Sequence, residues 1–198
     1  MAGIETLFVT RLYRAELSRA RNADLAKTCA AIAREDHAGQ RWAREHDYEG
    51  YTSYASLDDL PTRASVFAEL EKAIAKHVQA FAKALDYERT RLTLDSLWIN
   101  VMPKGGVHTA HIHPHAAISG TYYVQMPPRA AAIRFEDPRL AMMMAAPAKR
   151  ARVQRDNQTF VSVEPKAGTL LLWESFVRHE VPLNRARGQR ISVSFNYA

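Results

Sequence analysis

Apolar positions fall into two rhythms along the chain. After Pro61, the residues Phe67, Leu70, Ile74, Val78, Phe81 and Leu85 recur at spacings of three and four. That predicts a helix with one apolar stripe, entered through a proline in its first turn, which must lie on another surface. Upstream, Ala15 to His46 is rich in Ala, Arg, Glu and Leu, contains no proline, and reads as helix after a short strand-like "TLFVTRLY" at residues 6–13. From Leu92 onward the rhythm shortens. The segments "LTLDSLWINVM", "SGTYYVQM", "AAIRFED", "QTFVSVEP", "GTLLLWES" and "RISVSFNY" are rich in β-branched and aromatic residues and separated by turn formers.

The last segment alternates cleanly. Arg190, Ser192, Ser194 and Asn196 share one face, and Ile191, Val193, Phe195 and Tyr197 share the other. A helical first half followed by a strand-rich second half argues against a doubly wound parallel sheet, which would alternate the two. The expected fold is α+β with a mainly β core, a jelly-roll, cupin-like barrel with the N-terminal helices packed on one sheet. The apolar face of the last strand meets the helices, and its polar face looks into water or a polar cavity, where small-molecule sites are built. The 198 residues fit a single domain, with 1–90 a mostly helical support region and 91–198 the barrel core carrying the site.

Composition narrows the context. One cysteine, Cys29, excludes an internal disulfide, and the N-terminus lacks the basic-then-apolar signature of a secretory signal, so a cytoplasmic location is expected. No apolar run reaches membrane-spanning length, so no membrane partner is expected. The net charge is +6. The basic residues are scattered except at "KRARVQR", residues 149–155, read as a solvated loop; nucleic acid is therefore not the expected partner. The expected partner is a substrate, small molecule or protein, and a homodimer stays open.

Four histidines fall within eight positions of "HTAHIHPHAAISGTYYV". In an extended backbone His111 and His113, two apart, project from the same face, a chelating geometry suited to iron, zinc, copper or nickel. His179, at the end of a predicted strand, could supply a distant third imidazole. Eleven residues on, Arg190 begins the polar face of the last strand with Ser192 beside it. A buried arginine is costly unless an anion meets it, and its planar fork suits a carboxylate. A distal His followed by R-x-S is therefore what would hold a dicarboxylic cosubstrate beside a metal.

In these residues the chain resembles the Fe(II)- and 2-oxoglutarate-dependent oxygenases, and more closely a family of small members of unassigned substrate. The resemblance is carried by W-x-N (Trp98, Asn100), H-x-H-P (His111, His113, Pro114), S-G-x-Y-Y-V (Ser119 to Val124) and F-x-D-P-R (Phe135, Asp137 to Arg139). It continues through P-x-x-G (Pro165, Gly168), H-x-V-P (His179, Val181, Pro182) and R-x-S-x-S-F-N (Arg190 to Asn196). It implies a double-stranded β-helix, Fe(II) on His111, His113 and His179, and 2-oxoglutarate as cosubstrate held by Arg190 with help from Ser192. Asn100 or Tyr123 would touch the cosubstrate, and the activity implied is that of a hydroxylase. Against the wider superfamily, the carboxylate ligand two residues after the first histidine is replaced by His113. Three neutral imidazoles leave the metal its full double charge.

Other readings stay beside this one. "GGVHTAHIH" also fits the start of a cupin motif, pointing to a metal-dependent dioxygenase or isomerase that does not use 2-oxoglutarate, although the cupin glutamate is missing at Ala117 and Ile118. A non-catalytic metal- or ligand-binding barrel is the third reading. Glu136 and Asp137 are the substitute-carboxylate candidates, with Asp137 expected instead to cap the turn at Pro138. His108 and His115 are expected in loops or beside the ligands, His37, His46 and His77 at the surface or its boundary, and Trp98 and Trp173 as barrel packing. Tyr122 and Tyr123 must face opposite ways, and Met142 to Met144 form either a lid or a self-packed loop.

Overall fold

The computed structural model describes residues 2–89 and 91–198. In chain order its elements are β1 (Leu12–Glu16), α1 (Asn22–Glu35), α2 (His37–Glu45), β2 (Tyr51–Thr52), α3 (Leu60–Arg63) and α4 (Ser65–Ala84). These are followed by β3 (Leu94–Met102), β4 (His108–His111), β5 (Ile118–Gln125), β6 (Ile133–Glu136), β7 (Phe160–Val163), β8 (Thr169–Glu174), β9 (His179–Val181) and β10 (Arg190–Tyr197). They form two antiparallel sheets, a six-stranded one in the order β1-β8-β5-β10-β3-β2 and a four-stranded one in the order β4-β9-β6-β7. The fold is mixed, with helices backing a β core.

The alternation of β10 explains the layering. Ile191, Val193, Phe195 and Tyr197 join the α4 stripe of Phe67, Leu70, Ile74, Val78 and Phe81 in one apolar core. The opposite face of the large sheet meets the small sheet through Tyr123, Leu171 and Trp173 against Ile133, Phe135 and Val163. Tyr122 and Tyr123 divide between these two layers, as strand periodicity requires. Gly120 marks a close approach in the helix-facing layer: a Cβ there would stand 2.5 Å from Phe195 Cζ and 2.6 Å from Leu172 Cδ2. Gly120→Ala is expected to destabilise the fold by about 1–3 kcal/mol through overpacking, read as a lower urea midpoint. An unchanged midpoint would mean that the core relaxes at no cost.

Three features depart from the sequence reading. The expected helix from Ala15 to His46 is shortened by β1 and split at Asp36, whose carboxylate accepts the Gly39 N–H at 3.0 Å and caps α2. The expected helix at Pro61 is likewise two, because Ala64 is extended between α3 and α4. The N-terminal strand begins at Leu12 instead of Thr6, its ladder with β8 running from Leu12 opposite Trp173 to Glu16 opposite Thr169. Leu7, Phe8 and Val9 consequently stay exposed. No helix among the described residues is long and apolar enough to cross a membrane.

Candidate metal centre

Two strands too short to be legible as apolar runs build the site. β4 pairs with β9 so that His111 and His179 are direct cross-strand partners. His113 is not on the strand with His111, as the spacing suggested. It lies beyond the end of β4, where its backbone N–H donates to Ser175 O at 3.1 Å. His179 is also not at the end of the preceding strand, since β8 stops at Glu174 and His179 opens β9. The three imidazoles nonetheless converge, each offering a nitrogen within 4.8 Å of the others.

Backbone carbonyls fix the tautomers. Thr109 O lies 2.8 Å from His111 Nδ1, and Val177 O lies 3.0 Å from His179 Nδ1. A carbonyl only accepts, so both Nδ1 atoms carry protons and both Nε2 atoms present lone pairs. The Nε2 atoms of His113 and His179 face each other at 3.3 Å. Two nitrogens bound to one metal at about 2.1 Å stand roughly 3.0–3.4 Å apart in octahedral or tetrahedral geometry, so the spacing matches a shared cation. The donor set fits a transition metal.

Burial keeps these rings neutral, as metal ligation requires. Desolvation, reinforced by the neighbouring imidazoles, lowers His179 to about 2 and His113 to about 4. Desolvation also lowers His111, with its hydrogen bond to the Thr109 carbonyl opposing the shift and the Arg178 charge adding to it. His108 stacks on His111 with centroids 4.4 Å apart and is lowered to about 3 by burial and then by His111. Because the folded-state values lie below the ordinary value of 6.5, the unfolded chain binds more protons through this range. Stability of the metal-free protein is thus fully present above about pH 6.5 and declines as the pH falls toward the folded values. Chemical denaturation at pH 7.0 and 5.5 should show this loss, and His113→Gln should flatten it. A pH-independent midpoint across that range would contradict the burial argument.

Arg190 stands on the same polar lining. It is 3 % exposed, donates through Nη1 to Ser192 Oγ at 3.2 Å, and stacks over the Tyr123 ring at 5.1 Å. Its Nε, the Tyr123 hydroxyl and Asn100 Oδ1 are buried without hydrogen-bond partners. Asn100 is oriented by donating Nδ2 to Ser194 Oγ at 3.1 Å. All four expected cosubstrate residues therefore line one cavity with the three histidines. Unpaired buried donors and acceptors of this kind are costly unless a ligand meets them. Burial lowers the Arg190 guanidinium from its ordinary value, with the Tyr123 and Tyr48 hydroxyls opposing that shift.

Sequence reasoning missed Tyr48. It lies between α2 and β2, its ring meets His108 edge-on at 5.7 Å, and its buried hydroxyl is unpartnered. No local periodicity marks it. Trp98 and Trp173 are more than barrel packing: their rings lie 5.6 Å from His113 and 4.6 Å from His179. The substitute carboxylates do not join the cluster. Glu136 pairs with Arg178 at 3.4 Å, and Asp137 caps its turn by accepting the Arg139 N–H at 3.0 Å. His37, His46 and His115 are exposed, His77 is half-buried and bonded to Tyr13 at 2.8 Å, and Met142 and Met144 are exposed.

A family model described as "Putative 2OG-Fe(II) oxygenase" matches residues 96–196. No curated protein matches the chain. Among solved structures, a prolyl-4-hydroxylase from Pseudomonas putida is 16% identical, with 95% of this chain covering 92% of that one at a TM-score of 0.61. The non-heme alpha-ketoglutarate-dependent epimerase SnoN of nogalamycin biosynthesis is 14% identical, with 95% of this chain covering 76% of that one at 0.65. HygX from Streptomyces hygroscopicus, solved with nickel and 2-oxoglutarate, is 14% identical, with 96% covering 82% at 0.62. At these identities the likeness is one of fold.

Proposed function

As the chain belongs to the 2OG-Fe(II) oxygenase family, we propose that His111, His113 and His179 hold Fe(II) and that Arg190 anchors the 2-oxoglutarate of an oxygenase reaction. The observation that carries this assignment of residues is the pairing, in one cavity, of three converging neutral imidazoles with a buried arginine that has no carboxylate partner among the described residues. When bound, the iron supplies oxygen activation and 2-oxoglutarate supplies electrons through its decarboxylation to succinate, the usual route to hydroxylating a C–H bond.

The residues around them bind, orient and exclude water. The Arg190 fork meets the far carboxylate of the cosubstrate, with Ser192 holding the guanidinium in place. The Tyr123 hydroxyl and Asn100 Oδ1 are positioned to exchange hydrogen bonds with the bound acid or an ordered water. Trp98 and Trp173 wall off solvent beside the imidazoles. The missing carboxylate ligand has an electrostatic counterpart: a dication on three neutral rings plus Arg190 attracts a doubly charged keto acid more strongly than a half-neutralised site would.

In this reading the two sheets form a double-stranded β-helix and the chain acts as one domain on a small-molecule or protein substrate. Anaerobic addition of Fe(II) and then 2-oxoglutarate should give the visible metal-to-ligand charge-transfer band of a chelated keto acid. Metal binding without that band would sink the 2-oxoglutarate assignment.

A further inference from the structure

A second concavity of about 590 Å³ lies away from the histidines, within the range of small-molecule sites. Three loops build it: the β3–β4, β5–β6 and β9–β10 connections. One buried side chain knots them. Asn184, 1 % exposed, donates Nδ2 to Pro103 O at 2.8 Å and accepts the Ala131 N–H on Oδ1 at 3.2 Å. Its backbone exchanges 2.9 Å bonds with the β3–β4 loop, through Gly105 N–H to Asn184 O and Asn184 N–H to Gly106 O. The loops are therefore a fixed platform, not solvated ends.

Each loop presents a cation to this platform: Lys104, Arg129, and the pair Arg185 and Arg187. All four are exposed, no carboxylate lines the concavity, and none of the four is ion-paired among the described residues. Arg129 adds an independent sign. It occupies the third position of the turn closed by Ala130 N–H to Pro127 O at 3.0 Å, with φ at +68°. That position favours glycine or asparagine, so an arginine there is a strained choice held in place by the two prolines before it. Strain of this kind, spent on displaying a cation beside three others, is what a ligand site would use.

We infer that this concavity binds a small anion of the phosphate-ester class carrying at least two phosphate groups. Guanidinium forks suit phosphate oxygens, and four like charges on one rigid platform repel one another until such a ligand neutralises them. A concave site of this volume suits a small molecule more than the flat stripe expected for nucleic acid. The site is distinct from the metal centre. Although Arg190 follows Gly188 by two residues, its side chain is buried on the inner lining.

The test is calorimetric titration of the Fe(II)-loaded protein, without oxygen and at about 0.15 M salt, with fructose 1,6-bisphosphate as a weakly chelating probe. Saturable binding is expected, weakened about 30-fold or more in R185E/R187E. The charge-matched control R150E/R152E, in the separate basic loop, should bind as wild type does. Three results would overturn the inference: no binding by the wild type, equal weakening in both double variants, or binding of RNA through these arginines without binding of the bisphosphate.

Discussion

Replacing His179 by alanine is expected to cut Fe(II) affinity and 2-oxoglutarate turnover by about 10³-fold or more. Loss of a residue that merely orients a ligand typically costs 10–100-fold, and loss of the ligand itself should cost more. The geometry adds to this. His179 is the imidazole through which the other two are related, paired across the ladder with His111 and facing His113 at 3.3 Å. Without it two nitrogens remain, on a strand and on the loop beyond it, with no carboxylate among the described residues to replace the third. Metal added to wild type should raise its thermal midpoint, whereas the variant should show no such rise. His108→Phe is the informative companion. It keeps a ring stacked on His111 but removes a nitrogen, and should retain metal within about 10-fold if His108 only supports its neighbour. Near-normal affinity in His179→Ala would exclude the three-histidine centre.

The sequence exposes long-period features and hides short or nonlocal ones. The α4 stripe and the two faces of β10 were legible because burial repeats over many turns of one element. The polar face of β10 announced a cavity, since Arg190, Ser192, Ser194 and Asn196 could not all be core packing on an apolar layer. The two strands that carry His111 and His179 were not legible as strands. β4 and β9 have four and three residues, and histidine content interrupts any apolar alternation in them. The H-x-H spacing pointed to a pair that does converge with His179, but for an incomplete reason, because convergence depends on the chain turning after His111 and on the Ser175 carbonyl holding His113. Tyr48 reaches His108 across sixty residues of sequence, a contact created by packing alone. The helix break at Asp36 was readable in principle from the D-x-x-G cap but was outweighed by the helical composition around it.

Arg190→Met is expected to move two properties in opposite directions. In the ligand-free protein the guanidinium is 3 % exposed, its Nε has no partner, and its hydrogen bond goes to the neutral Ser192 hydroxyl. Stacking over Tyr123 offsets only part of the desolvation, so a buried charge without a carboxylate weighs on the folded state. An apolar side chain of similar length removes that burden. Replacing buried charges by well-packed apolar groups is often neutral or stabilising by about 1–4 kcal/mol. The ligand-free variant should therefore unfold at equal or higher urea concentration than wild type. Its affinity for 2-oxoglutarate should fall about 100-fold, because a charge-assisted bidentate contact inside a dry cavity is lost. Binding of Fe(II) alone should not be weakened, since a guanidinium offers donors only and no lone pair to a metal. The three measurements together separate a cosubstrate anchor from a structural arginine: destabilisation of the ligand-free variant with unchanged 2-oxoglutarate affinity would make Arg190 a fold residue and remove its assigned role.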